Sequence, residues 1–242
     1  MQLNQYKDQQ QIQEKIYQIF NQKHIILSKE TEKIIERIYN KGEKEQFFLL
    51  HIIIQRNFID KKNANFIDGF IFQKLKEVKQ EKIKEKVNYF FPNGLISLKS
   101  SLNINYQPLQ NLLIDQKFQE ADQLTQKYLC QLVELKTNQK KTWLYFTDIQ
   151  FLPTDDLFQL DLLWKIYSKG KFGFSVQKKI WINNNKKWNT LWEKIGWLKK
   201  GIMKRYPQEF TWTIEAPTGH LPLSNQLRGT QTLMYLFSHI YW

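Results

Sequence analysis

Cysteine is nearly absent from this 242-residue chain. Cys130 stands alone, which excludes an intramolecular disulfide and any cysteine-rich metal site, and a reducing compartment is the simplest reading. Histidine is scarce too. None of His24, His51, His220 and His239 pairs with another at i, i+4, and no H-E-x-x-H occurs, so the helical zinc motif is excluded. Glycine is sparse and poorly placed for phosphate binding, with neither G-x-G-x-x-G nor a P-loop present. The longest apolar concentration is FFLLHIII, residues 47–54, well short of the ~20 residues a membrane helix needs. The opening MQLNQYKDQQQIQEKIYQIF is Gln-rich and carries acids. It has no apolar core of a signal peptide, so no targeting segment is expected.

Lysine is plentiful. Lys and Arg number 36 against 23 Asp and Glu, a formal charge of +13. Residues 1–100 hold 18 basic and 12 acidic side chains, the remainder 18 and 11. This spread field favours anionic partners without choosing among nucleic acid, an acidic membrane and a carboxylate ligand. Arginine occurs only four times and alanine only at Ala64, Ala121 and Ala216. Ile, Asn, Lys, Gln and Phe are common. Such a bias points to an AT-rich genome, so the lysine excess weighs less as a sign of nucleic-acid binding. All eight tryptophans lie at Trp143 or later, which divides the chain into two compositions.

The periodicities predict an all-α protein. Ile12, Ile16, Ile19 and Phe20 share one helical face. Ser28 is placed to cap a second helix carrying Ile34, Ile35 and Ile38, with Gly42 at its C-terminal end. A third helix carries Phe47, Leu50 and Ile54, and a fourth spans 65–87. These form an N-terminal helical bundle, residues 1–91. Pro92, Asn93 and Gly94 signal a turn, and 92–105 is the expected linker. Residues 106–242 form the second domain. It opens with a helical hairpin containing Leu109, Leu112, Leu113 and then Phe118, Ala121, Thr125, Tyr128 and Leu132. Asp122 and Thr125, one turn apart, are expected to interact locally. Thr154 or Asp155 caps the next helix, whose first-turn acids favour its dipole and whose end falls at Gly170. A short helix spans Trp188 to Ile195. FTWTIEAPTGHLP is extended or irregular.

The stretch YSKGKFGFSVQKKIW, residues 167–181, is the most distinctive. Gly170 and Gly173 lack the third glycine of a dinucleotide fingerprint. GFSVQ departs from the nucleophile elbow because Gln177 stands where the closing glycine belongs, so Ser175 reads as a cap or turn residue. Asp155 and Asp156 are about 100° apart on a helix and cannot flank one scissile bond. No set of nucleophile, base and oxyanion site emerges, so no catalytic activity is expected. The surplus of aromatic residues suggests an apolar cup instead.

In this setting DLFQLDLLWKIYSKGKFGFSVQKKIW resembles the signature of the genomes-uncoupled-four family, tetrapyrrole-binding activators of magnesium chelatase. LQNLL at 109–113, EADQLTQKYL at 120–129, IGW at 195–197 and APTGHLP at 216–222 follow in the family's order. The resemblance covers about residues 106–222. It implies a cupped-hand helical core that binds protoporphyrin or magnesium-protoporphyrin, requires no cofactor and stimulates the large porphyrin-binding subunit of the chelatase. It also implies a regulatory protein of chlorophyll biosynthesis, monomeric, that does not bind nucleic acid. Such a protein would sit in the chloroplast stroma or against the chloroplast membranes. Phe172, Phe174, Trp188, Trp192 and Trp197 are candidate porphyrin walls. Lys178, Lys179, Arg205 and Arg228 are candidates for the propionates, and His220 for the propionate or metal side. No protein metal site is expected, and Trp164 and Gly173 are expected to maintain the fold. Two alternatives remain open: a basic, aromatic-rich organellar RNA-binding protein, and a scaffold of the same fold without porphyrin.

Overall fold

The computed structural model describes residues 14–20, 26–223 and 230–241. The chain divides into two compact units between Leu95 and Ile96. Among the described residues both are helical, apart from one two-stranded hairpin in the second.

The first unit holds α1 (14–20), α2 (Lys29–Tyr39), α3 (Glu43–Ile54), α4 (Phe66–Lys76) and α5 (Glu81–Phe90). Ser28 caps α2 by accepting from the Thr31 amide at 3.1 Å. Gly42 serves the next helix rather than the one before it. Asn40 ends α2, and Gly42, at φ +141°, is the N-cap of α3. The helix expected over 65–87 is two helices, parted at residues 77–80. Val78 is buried there and turns the chain. Asn65 and Asp68 form a reciprocal capping box at the start of α4. The same Asp68 carboxylate takes two hydrogen bonds from the buried Arg56 guanidinium, at 2.8 and 3.1 Å. Arg56 lies in a π-helical turn, Gln55–Ile59, that continues α3. The core is mainly aliphatic, with Ile35, Leu49, Ile53, Ile71, Leu75 and Ile83 all buried.

The second unit begins with a segment tied down by side chains. The expected linker, 92–105, is in large part a strap on this unit. The side chain of Gln110 pairs with the backbone of Ile96, Ser101 donates to Asp156, and Tyr128 donates to the Asn105 carbonyl at 2.8 Å. Then come α6 (Gln107–Ile114), α7 (Phe118–Thr137), a 3-10 turn (Phe146–Phe151) and α8 (Thr154–Tyr167). Pro153, not Thr154 or Asp155, precedes α8 as its N-cap. Asp156 is fully buried and accepts from the Tyr106 hydroxyl at 2.7 Å. Helix α8 is covered on several sides. Leu157, Leu160, Leu163, Trp164, Ile166 and Tyr167 are all buried, so it forms the axis of the unit. α9 (Phe174–Asn183), α10 (Trp188–Lys194), strands β1 (Leu198–Lys199) and β2 (Ile202–Met203), and α11 (Thr230–His239) complete it. Leu198 pairs with Met203 and Lys199 with Ile202, antiparallel. The two turn residues, Lys200 and Gly201, both have positive φ, at 51° and 77°, as a type I′ turn requires.

Candidate functional site

The turn at Gly173 organises the site. Its φ is +134°, and a Cβ there would stand 2.8 Å from Asp161 Oδ1. Asp161, on α8, accepts from the Ser175 amide at 2.8 Å and from its hydroxyl at 2.6 Å. It thereby satisfies the open N-terminus of α9 from another helix. Gln177, one turn on, donates to the carbonyls of Gly219 and Pro222 at 3.0 and 2.8 Å. This fixes the APTGHLP loop against α9. In that loop a Cβ on Gly219, at φ +79°, would meet Ile180 and Ile195 at 2.8 and 2.9 Å. Glycine is what lets the loop sit between α9 and α10.

Around this frame runs a chain of aromatic rings. Trp181 and Trp188 have centroids 4.8 Å apart, Trp188 and Trp192 5.3 Å, and Trp192 and Trp197 5.2 Å at an interplanar angle of 8°. Phe237 of α11 stacks on Trp188. The series continues through Phe210 and Trp212 to Tyr206. Trp197 is anchored by its indole N–H to the His220 carbonyl at 2.8 Å.

The expected wall residues divide by burial. Phe172, Phe174 and Trp197 are fully covered, and Trp192 is 8% exposed. Phe172 packs between Phe118 of α7 and Trp164 of α8, so it ties these helices together and offers no face to a ligand. Trp188 is half-buried. The expected cations divide likewise. Lys178 donates to the Ile240 carbonyl at the end of α11. Lys179 and Arg205 are exposed. Arg228 lies outside the described residues. His220 is fully buried. Its Nδ1 meets the Ile195 carbonyl at 2.6 Å and its Nε2 accepts from the Thr211 amide at 3.1 Å. This pattern identifies the neutral Nδ1–H tautomer. Burial holds the imidazole below its ordinary pKa, and both nitrogens are occupied, so His220 is a structural pin and has no nitrogen left for a metal or propionate. Among the described residues no cluster of His, Cys, Asp or Glu could hold a metal ion.

Residues that sequence reasoning passed over add an exposed apolar patch near the aromatic series. Ile202 is 71% exposed, with Met203 and Tyr206 also exposed at the tip and outgoing arm of the β1–β2 hairpin. Lys199, Lys200 and Arg205 surround them, all exposed. The hairpin springs from the buried Trp197, whose carbonyl accepts from the Lys204 amide at 2.9 Å. An apolar lip thus stands at one end of the aromatic series with cations at its edge. The available signal was KKGIM after the glycine-closed helix, where Lys200-Gly201 suits a two-residue hairpin turn.

Comparison with known proteins agrees with this architecture. The profile of a family described as GUN4-like matches residues 99–240. The chain belongs to the GUN4-like family. Its relatives are of plastid and cyanobacterial type. A ycf53 protein of Pyropia yezoensis is 42% identical over 214 residues, covering 88% of this chain and 90% of that one. A Ycf53-like protein of Synechocystis is 36% identical over 225 residues, covering 93% and 95%. A tetrapyrrole-binding protein of Arabidopsis thaliana, chloroplastic by name, is 36% identical over 143 residues, about half of each chain. The GUN4 structure from Chlamydomonas reinhardtii superposes with a TM-score of 0.53 at 36% identity, covering 60% of this chain and 94% of that one.

The GUN4-like match begins just after the boundary between the units and takes in the turn at Gly173, the aromatic series and the hairpin. The helical bundle of the first unit lies outside the family profile, although the Synechocystis relative aligns over most of the chain.

Proposed function

We propose that the chain binds protoporphyrin and magnesium-protoporphyrin, catalyses nothing itself, and stimulates magnesium chelatase through its large porphyrin-binding subunit, in the plastid stroma or against plastid membranes. Membership of the GUN4-like family and the Arabidopsis relative support tetrapyrrole binding. The observation that carries the reading here is the hairpin lip. Ile202, Met203 and Tyr206 expose apolar surface next to Lys199, Lys200 and Arg205. A porphyrin is a wide apolar disc bearing two carboxylates. Its faces need apolar surface and its propionates need cations in reach. The stacked tryptophans beneath act as a stiff base that keeps the lip in place. His220 is engaged on both nitrogens and would not hold a bound magnesium.

The test is a titration with a soluble porphyrin, with and without magnesium, followed by tryptophan quenching at two salt concentrations. Saturable quenching that survives added salt is expected. Ile202→Ser combined with Met203→Ser should weaken it by about tenfold, the loss of apolar contact worth about 1.4 kcal/mol. A folded protein that shows no quenching would remove the porphyrin reading.

A further inference from the structure

The β1–β2 hairpin is apolar on both of its faces. Leu198 pairs with Met203 and Lys199 with Ile202, and successive residues of a strand point to opposite faces. Ile202 and Met203 therefore stand on opposite sides of the hairpin, and both are exposed. A flat ligand lying on one side leaves the other in water. A medium that takes in the whole tip covers both at once.

The charge of the hairpin narrows that medium. Lys199, Lys200, Lys204 and Arg205 lie between Leu198 and Tyr206 with no Asp or Glu among them. None of the four forms an ion pair among the described residues. Glu209 is held at the base, where its carboxylate accepts from the Arg205 amide at 2.7 Å. Residues 198–209 thus carry four cations and one anion, an excess of three positive charges. The exposed Tyr206 joins an apolar ring to a hydroxyl, a combination suited to a bilayer–water interface.

The arm also springs from a firm root. Trp197 is buried and stacks on Trp192, and its carbonyl accepts from the Lys204 amide at 2.9 Å. A preformed arm loses little conformational freedom on binding. From Leu198 to Lys200 it reaches about 7 Å, at ~3.4 Å per residue, within the ~5–10 Å depth at which interfacial segments settle. The first unit has exposed rings of its own, Phe58 and Tyr89, each in contact with Phe90. There Asp60 and Glu85 are interleaved with the cations, and Asp60 pairs with Lys62 at 3.9 Å.

We propose that the β1–β2 hairpin docks the protein on an anionic lipid bilayer. Ile202 and Met203 enter the headgroup layer, and Lys199, Lys200, Lys204 and Arg205 meet lipid phosphates. The contact is peripheral, and no helix among the described residues is long and apolar enough to cross a membrane. This rests on the membrane part of the function proposed above and is independent of a bound porphyrin.

The experiment is co-sedimentation of the full-length chain, without porphyrin, with vesicles of mixed phosphatidylglycerol and phosphatidylcholine or of phosphatidylcholine alone, at low and moderate salt. Binding that needs phosphatidylglycerol and weakens with salt is expected. Ile202→Ser with Met203→Ser lowers the partition coefficient about tenfold. Lys199→Gln with Lys200→Gln lowers it by a similar factor at low salt and flattens its salt dependence. Lys199→Arg with Lys200→Arg retains binding, as does Tyr89→Ser in the first unit. Helicity stays at the wild-type level in all four, because the side chains changed are exposed. No binding by the wild-type chain, equal binding to phosphatidylcholine alone, or binding unchanged in both hairpin double variants overturns the proposal. So does loss in Tyr89→Ser with the hairpin variants intact. Retention on polyglutamate without vesicle binding, lost in the lysine-to-glutamine variant, assigns the hairpin to an acidic protein and overturns the bilayer. Porphyrin quenching is recorded on separate, lipid-free samples, and its failure counts against the porphyrin reading alone.

Discussion

The two units are both helical but are tied together over different distances along the chain. In the first, the buried polar contacts are local. Arg56 reaches Asp68 12 residues away and Gln46 reaches the Tyr39 carbonyl seven away. In the second, several are remote. Ser101 and Tyr106 reach Asp156 over 55 and 50 residues, Trp164 reaches Thr125 over 39, and Asp122 holds the Leu223 amide over 101. An aliphatic core assembles from whichever apolar faces meet. A buried polar group has only a few acceptable partners and costs free energy without one. The first unit is therefore a tolerant bundle, and the second a frame in which loops are pinned in single positions, as a binding surface requires.

Substitutions of the remote ties should have the largest effect. Asp156→Ala strands the buried Tyr106 hydroxyl and the Ser101 contacts and should cost about 3 kcal/mol or more by denaturant unfolding. Gln46→Ala, removing a local contact, should cost about 1 kcal/mol. Glycine makes the same comparison at smaller scale. Gly173→Ala suffers both a positive φ and the 2.8 Å approach to Asp161, and should lose about 2–3 kcal/mol. Gly42→Ala, at a similar φ with nothing within 4 Å, should lose only about 1 kcal/mol of backbone strain. Equal losses would show that the two turns are equally constrained.

The longest tie is also sensitive to pH. Burial pushes the Asp122 carboxyl up to about 8 from an ordinary 3.8, partly opposed by the Leu223 amide. The folded state therefore holds a proton that the unfolded state releases. The stabilising contribution is whole below about pH 4 and falls by about 1.4 kcal/mol per pH unit until pH passes about 8. His220 runs the other way. Its lowered pKa makes its contribution complete above about pH 6.5 and lost as pH falls below that. Between pH 6.5 and 8 only the Asp122 slope operates of these two, and Asp122→Asn should flatten stability measured over that window. An unchanged slope would mean that Asp122 stays ionised in the fold. The smallest effect belongs to the lip. Ile202→Ser should shift stability by no more than about 0.5 kcal/mol, since a side chain 71% exposed contributes little packing.

The first unit was readable because its helices follow their own periodicity, down to the Ser28 cap. Its misreadings, at Gly42 and at the break near Val78, are end effects, where a cap and an interhelical turn use the same residues. In the second unit the helices of the hairpin, α8 and α10 were readable. The partners were not. Asp122 and Thr125 looked like neighbours with a shared contact, yet one holds Leu223 and the other receives the Trp164 indole. The hairpin escaped notice because two-residue strands carry no alternation. The aromatic candidates were taken together, and only packing separated the covered Phe172 and Phe174 from the half-exposed Trp188.

By itself the sequence determined the helical class, the change in composition between the units, the family and the absence of a recognisable catalytic constellation, because periodicity, residue type and motif order are properties of the chain. Which rings are covered, which lysine is already engaged, where His220 directs its nitrogens and which apolar side chains reach solvent were decided only by the tertiary structure. Burial and hydrogen bonding at each of these positions depend on residues tens of positions away, and no local pattern encodes their distance.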